Sequence, residues 1–236
     1  MAYADYECYF IKEEEMAVLL AGAGVKQWYG LTSKGQSTEE KTPQQEDLFR
    51  IMNSLYQKNY VDWEGDTINI LFPAGEAVTR IKNAVSLIQM EVKEEESKSL
   101  AYIADRKVLW LEQSQREPAM LKFSLWEAKD WLENLTEIGL LPKEEPETEE
   151  WNENRETGEE KDNSISSDDV TERGRMLLLN PDNGQQKAAL IIEDQGIDTY
   201  MRILRSLLES RKPYRKKQWE EIMADWMEGK IEDDIS

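Results

Sequence analysis

The 236-residue sequence contains no histidine and only one cysteine, Cys8. Without histidine the chain lacks the commonest general base at neutral pH and the commonest zinc ligand. A single cysteine excludes any intramolecular disulfide and gives no support to a disulfide-built secreted scaffold. Cationic charge is scarce as well. With 29 Lys and Arg against 49 Asp and Glu, the net charge is −20 and the pI is near 4.5. A duplex or an anionic membrane repels such a chain unless basic residues are segregated into a patch. Long apolar runs are also missing, since Met16–Ala21 and Met176–Leu179 fall far short of the roughly 20 residues that span a bilayer. No basic stretch followed by an apolar run occurs in Met1–Ile11, so no signal peptide and no membrane insertion are expected, and the cytosol is the expected compartment.

What is present begins with a hydrophobic fraction of 39%, enough for a real core, although 33% of residues are charged and the mean hydropathy is −0.72. Those values fit a folded body carrying a segment that does not fold. The composition shifts at Pro142. From Lys143 to Glu172 thirteen acidic residues face three basic ones, a net of 3 − 13 = −10, with Trp151, Ile165 and Val170 almost the only apolar side chains. So little apolar surface cannot offset chain entropy, and the segment is expected to be a disordered acidic linker, with a regulatory tether as the sharper alternative. The expected organisation is an N-terminal part (1–142), the linker (143–174) and a C-terminal part (175–236) that completes the same fold.

Hydrophobic periodicity supplies the elements. A strand over Tyr6–Ile11 leads into a helix over Lys12–Gly22, and Pro43–Asn59 forms a second helix with Leu48, Ile51, Met52 and Leu55 on its apolar face. A strand–turn–strand–helix unit then recurs three times. The first joins Tyr60–Trp63 to Thr67–Phe72 through Glu64-Gly65-Asp66 and opens a helix at Pro73 that runs to Met90, carrying Val78, Ile81, Val85 and Ile88. In the second, Val108–Glu112 and Met120–Phe123 precede a helix with Ser124 as N-cap, Glu127 completing a capping box, and Gly139 as its terminator. The third pairs Arg175–Leu179 with Ala188–Glu193 across Asn180–Gly184, and a helix follows over Ile197–Ser210. A last helix, Pro213–Met227, places Trp219, Ile222, Met223 and Trp226 on one face. The expected class is α+β, an antiparallel sheet built from these units with helices packed around it.

Equipment for catalysis is hard to find. Ala21-Gly22-Ala23-Gly24 has two glycines but no following Lys-Ser/Thr, and it closes a helix where a phosphate cradle would open one. Cys8 has no histidine to activate it and is expected to pack in a strand. Carboxylates are plentiful, but they fall in runs such as Glu13-Glu14-Glu15 and Glu94-Glu95-Glu96, which are ordinarily solvated faces. Asp182-Asn183-Gly184 lacks the spacing of a calcium loop. The chain is therefore expected to be no enzyme and to need neither cofactor nor metal.

Two features point towards partners. Seven basic residues (Arg202, Arg205, Arg211, Lys212, Arg215, Lys216 and Lys217) face Glu209 alone, a local net of 7 − 1 = +6. Three explanations stay open: contact with nucleic acid, contact with an acidic segment such as the linker, and the preference of helix C-termini for cations. Tryptophan is abundant, at 8 residues. Trp219, Met223 and Trp226 form the best candidate for a protein-docking stripe, with Trp126 as a further candidate, because large aromatics beside methionine are favoured at protein interfaces. A rival reading takes Asp47–Tyr60 and the hairpin Val61–Phe72 as the helix and wing of a winged-helix transcriptional regulator. The segment before them, Thr32–Gln45, is polar and its Lys34 and Lys41 are offset by Glu39 and Glu40, so an ordinary packing unit is preferred to nucleic-acid binding.

The order of elements resembles a known family. Phe10–Leu20, then DLFRIMNSLYQKNYVDWEGDTINILFP, then KVLWLEQSQREPAMLKFSLWEAKDWLENLTEIGLLP are similar to the EspG-like chaperones of type VII secretion in Gram-positive bacteria, with 175–210 matching the second half of that family's sheet. The long acidic insert departs from the pattern. The resemblance implies a cytosolic chaperone or adaptor without nucleotide or metal. It would hold a helical secretion substrate, WXG100-like, through the sheet and the C-terminal helices.

Overall fold

In the computed structural model the described residues are 7–31, 36–37, 45–93, 97–114, 117, 120–142, 170–196, 198–205 and 208–230. The acidic linker expected over 143–174 lies outside them as far as residue 169, as do Trp151, Lys34, Lys41 and the run Glu94-Glu95-Glu96.

The architecture is α+β. In chain order it runs β1 (Cys8–Lys12), α1 (Glu13–Gly22), β2 (Gln27–Trp28), β3 (Gln36–Ser37), α2 (Gln45–Gln57), β4 (Val61–Glu64), β5 (Thr67–Ile70), α3 (Ala74–Lys82), β6 (Ser86–Val92), β7 (Ser97–Ala104), β8 (Lys107–Gln113), β9 (Met120–Glu127), α4 (Ala128–Glu137), β10 (Val170–Leu179), β11 (Gln186–Gln195), β12 (Asp198–Arg205), β13 (Leu208–Pro213) and α5 (Lys216–Met227). Nine strands make one antiparallel sheet in the order β1-β9-β8-β7-β6-β10-β11-β12-β13, and β4 and β5 stand apart as a hairpin.

Two four-stranded meanders, β6 to β9 and β10 to β13, each lead into one helix, and they meet where β6 pairs antiparallel with β10. Outward from the centre each side runs through four consecutive strands, with β1 added beyond β9 on one side only, so a pseudo-two-fold axis through the β6–β10 pair relates the two meanders. Met90 and Met176, both fully buried, sit opposite each other there. Of the three strand–turn–strand–helix units expected from the sequence, two are present with shifted bounds, β4-β5-α3 and β8-β9-α4, the first outside the large sheet; the third is replaced by the β10–β13 meander. Helix α3 ends at Lys82, and 86–92 forms β6, so Ile88 is a strand residue and Val85 is 49% exposed. β9 continues through Ser124 to Glu127, which moves the start of α4 to Ala128 and leaves Ser124 paired with Trp110 instead of capping a helix. Instead of the helix expected over 197–210, β12 and β13 form a hairpin.

Turn chemistry follows the residues. Asp105 and Arg106, both with positive φ (49° and 59°), join β7 to β8 in the manner of a type I′ hairpin, whose twist matches the strands. Between β10 and β11, the Asn180 and Asn183 side chains accept from the backbone N–H groups of Asp182 and Gln185.

The two faces of the sheet are buried differently. One packs against α4 and α5 through Trp110, Trp126, Trp131, Trp219, Met223 and Trp226. On the other, α1, α2 and α3 cover β1 and the first meander through residues such as Met16, Leu20, Leu55, Val78, Leu109 and Phe123. Buried Arg80 on α3 donates to the carbonyl oxygens of Val108 (2.7 Å) and Trp126 (3.1 Å), tying that layer to the sheet backbone. Among the described residues no helix is long and apolar enough to cross a membrane.

Candidate protein-docking surface

The stripe expected to dock a partner lies inside the molecule. Trp219, Met223 and Trp226 are 3%, 0% and 1% exposed, so α5 spends its apolar face on the sheet. Trp126 is buried in β9, its ring 5.7 Å from that of Trp110 and its indole N–H donating to Ser124 Oγ at 2.6 Å. These four belong to the core, because every apolar stripe on a helix lying flat across a sheet is consumed by the sheet. Cys8 departs from expectation in the opposite sense. It sits in β1 but is exposed.

The basic cluster is also divided. Arg202 and Arg211 face each other across β12 and β13 and share the nearly buried Glu193, at 2.8 and 3.3 Å. Arg202 reaches Glu209 as well, at 3.3 Å, and Arg211 lies 4.2 Å above the Tyr200 ring. Lys212 pairs with buried Met201, and Arg205 with Leu208. Arg215 occupies the N-cap position of α5 without a side-chain capping bond, and Lys216 and Lys217 lie in its first turn. Helix C-terminal preference is therefore overturned as an explanation: Arg202, Arg205, Arg211 and Lys212 are strand residues, and Arg215, Lys216 and Lys217 sit at the N-terminal end of a helix, where the dipole disfavours cations. No single surface unites the seven.

An apolar surface does exist, on α2 and the β4–β5 hairpin. Leu48, Ile51, Met52 and Leu55 were expected to define the apolar face of α2; Ile51 and Leu55 are buried against α1 and the sheet, whereas Leu48 at the start of the helix is 40% exposed. Phe49 and Tyr56, seven residues apart, lie on the flank of that face and are 78% and 49% exposed. The hairpin continues the surface. Val61 pairs with Ile70 and Trp63 with Ile68, so all four share one face of the ribbon. Val61 is buried at the base, while Trp63 and Ile68 towards the tip are 46% and 47% exposed. Tyr56 and Trp63 bring helix and hairpin together, with ring centroids 5.3 Å apart. Tyr60, at the junction of the two elements, donates its hydroxyl to Phe10 O at 3.1 Å and so ties this unit to edge strand β1.

Charge around these aromatics has one sign. Over residues 45–70 there are five acids (Glu46, Asp47, Asp62, Glu64 and Asp66) and two cations (Arg50 and Lys58). Both cations are held by α1: Arg50 makes a two-pronged contact with Glu14 at 3.0 and 3.2 Å, and Lys58 meets Glu15 at 2.6 Å. The Arg50 contact holds the Glu14 carboxyl below the usual glutamate value, chiefly through its hydrogen bond. Counting these two partners, the region carries a net 2 − 5 − 2 = −5. Among the described residues, Asp62, Glu64 and Asp66 make no ion pair. Sequence reasoning carried Trp63 among the eight tryptophans but passed over Phe49 and Tyr56. The available signal was the placement of two large aromatics seven apart on the otherwise polar flank of α2.

The same geometry bears on the winged-helix reading. A helix followed at once by a hairpin is present, but the wing of such a regulator approaches phosphates, and Asp62, Glu64 and Asp66 would meet them with like charge. Among the described residues no group of three acidic or cysteine side chains is placed to hold a metal ion.

No protein-family model matches this chain, and no curated protein sequence matches it.

Proposed function

We propose that this chain is a non-catalytic chaperone or adaptor that binds another protein in the cytosol, in the manner of the EspG-like chaperones it resembles, with a helical secretion substrate as its client. The observation that carries this reading is the solvent-facing apolar group Phe49, Tyr56, Trp63 and Ile68 on a body that buries its other large apolar clusters in two cores. Apolar surface collected in one place and rimmed by charge is what a protein interface presents before its partner arrives.

The test is affinity capture of the full chain from its native cells, with captured proteins identified by mass spectrometry. The expected catch is a secreted helical protein whose export falls when the chaperone is deleted. Capture of nothing at physiological salt, or of proteins whose export is indifferent to the deletion, overturns the proposal. The regulator reading is favoured by the helix-then-hairpin order alone. Retention of duplex DNA at 100–200 mM salt (about the physiological range) would revive it.

A further inference from the structure

We infer that the α2/β4–β5 surface receives an amphipathic helix of another protein, apolar on one side and flanked by lysine or arginine. This rests on the protein-binding reading above and specifies its client. The argument combines shape with charge. Phe49 and Tyr56 project from the flank of α2 towards the same side as Trp63 and Ile68 on the hairpin, and the Tyr56–Trp63 contact makes them one surface with an angle between helix and ribbon. A helix laid along that angle would bury its apolar stripe against the four side chains, the helix-in-groove mode of recognition. An extended strand fits less well: it would add at an edge of the two-stranded ribbon, in the plane of the strands, and leave the side chains on the ribbon face and on α2 uncovered.

The rim decides the partner's sign. Arg50 and Lys58 are already engaged by Glu14 and Glu15, whereas Asp66 in the hairpin turn, and Asp62 and Glu64 on the face of the ribbon opposite Trp63, are exposed carboxylates. An acidic helix would approach a region of net negative charge, and a second copy of this chain, itself at −20, would meet the same repulsion. A basic flank converts the same charges into steering and complementarity.

The experiment measures anisotropy of three labelled synthetic peptides of about 18 residues, five helical turns, against the full chain. One is an amphipathic leucine/lysine helix, one its leucine/glutamate counterpart, and one a scrambled leucine/lysine control. Expected is binding of the ordered leucine/lysine peptide alone. Phe49→Ser with Trp63→Ser should weaken it by about tenfold or more, as for hot-spot aromatics. Asp62→Lys with Asp66→Lys should weaken it at low salt, with the loss shrinking at about 1 M, where the screening length is roughly 3 Å. Circular dichroism and thermal midpoint confirm that each exposed-site variant folds; should a double variant fail to fold, Trp63→Ser alone carries the test. Equal binding of the leucine/glutamate or scrambled peptide, no binding of any peptide, or a wild-type dimer that the Phe49/Trp63 variant dissolves each overturns the inference. Repeating the cellular capture with the Phe49/Trp63 variant separates the two readings. If the wild type captures nothing, the chaperone proposal fails. If the variant captures the same client undiminished, only this docking surface fails.

Discussion

The Glu15 carboxylate lies 2.6 Å from the Lys58 ammonium, with the glutamate side chain 1% and the lysine 25% exposed. Glu15 also accepts from Ser54 Oγ at 2.6 Å and from the Lys12 backbone N–H at 2.7 Å. One buried carboxylate thus closes the start of α1 and pins α2 to it, and α2 carries half of the proposed docking surface.

The pair is asymmetric, and so are the expected mutational effects. In Glu15→Gln the partly exposed Lys58 can turn to water, and the loss should stay near 1–2 kcal/mol, about what a hydrogen bond to a charged group contributes. Lys58→Met strands a carboxylate that cannot reach solvent, and should cost about 3 kcal/mol or more. Urea unfolding of both variants measures the order; a larger loss for Glu15→Gln contradicts it.

Tryptophans on the two sides of the molecule should separate cleanly. Trp226→Ala removes a 1%-exposed ring from the core beneath α5 and should cost about 3–5 kcal/mol. Trp63→Ala removes a ring that is 46% exposed and should cost within about 1 kcal/mol while weakening the peptide binding described above. Comparable thermal midpoints for the two variants would show that the burial pattern is wrong.

Two glycines test different physics. A Cβ at Gly174, where β10 meets β6, would lie 2.6 Å from the Glu91 carbonyl oxygen and 2.5 Å from Leu140 Cδ1. Gly174→Ala should therefore cost about 2–3 kcal/mol through overpacking at the junction of the two meanders. Gly65, at the tip of the β4–β5 hairpin, has a φ of +61° and open space around it. Gly65→Ala should cost only the conformational penalty, about 1 kcal/mol. Denaturation midpoints of the two variants, compared with wild type, decide the point.

Acid should loosen the hold of α1 on α2 through Glu14. Its carboxyl titrates lower in the folded chain than in the unfolded one, because Arg50 donates to it. Such a group stabilises the fold fully above its unfolded value, near 4.3, and the contribution disappears as pH falls through the lowered folded value. The stability gap between wild type and Glu14→Gln should be constant from about pH 7 to 5 and narrow steadily below about pH 4.3. The site is substantially exposed, so the gap is small at any pH. A gap that widens in acid reverses the assignment.

Much of this architecture can be read from residues alone. Helices at 13–22, 45–57 and 216–227, the hairpin around Gly65 and the hairpin around Asn180–Gly184 all follow local rules of periodicity and turn chemistry. The misreadings share one cause. In 198–205 Thr199, Met201 and Ile203 are buried alternately, yet the neighbouring Leu204, Leu207 and Leu208 let the same run satisfy a helical spacing. What selects the strand is the waiting edge of β11, which no local pattern contains. Residues 86–92 bury Ile88, Met90 and Val92 on one face, with Leu87 buried and Gln89 and Glu91 half-buried on the other, and so short a run, with Val78, Ile81, Val85 and Ile88 at helical spacing, reads equally as the end of the preceding helix.

The site was less legible than the fold. Trp219, Met223 and Trp226 and the group Phe49, Tyr56 and Trp63 look alike as strings of aromatics at helical spacing. One set covers a sheet and the other faces solvent, and that difference belongs to the neighbours each set is given. Residue order was enough to establish the acidic balance, the lack of histidine, the main turns and most helices, since each depends on side chains within a few positions of one another. Pairing β6 with β10, hiding the α5 tryptophans and leaving the α2 aromatics outside required the folded chain. Burial is set by contacts between segments far apart in sequence, and only assembly of the nine-stranded sheet specifies them.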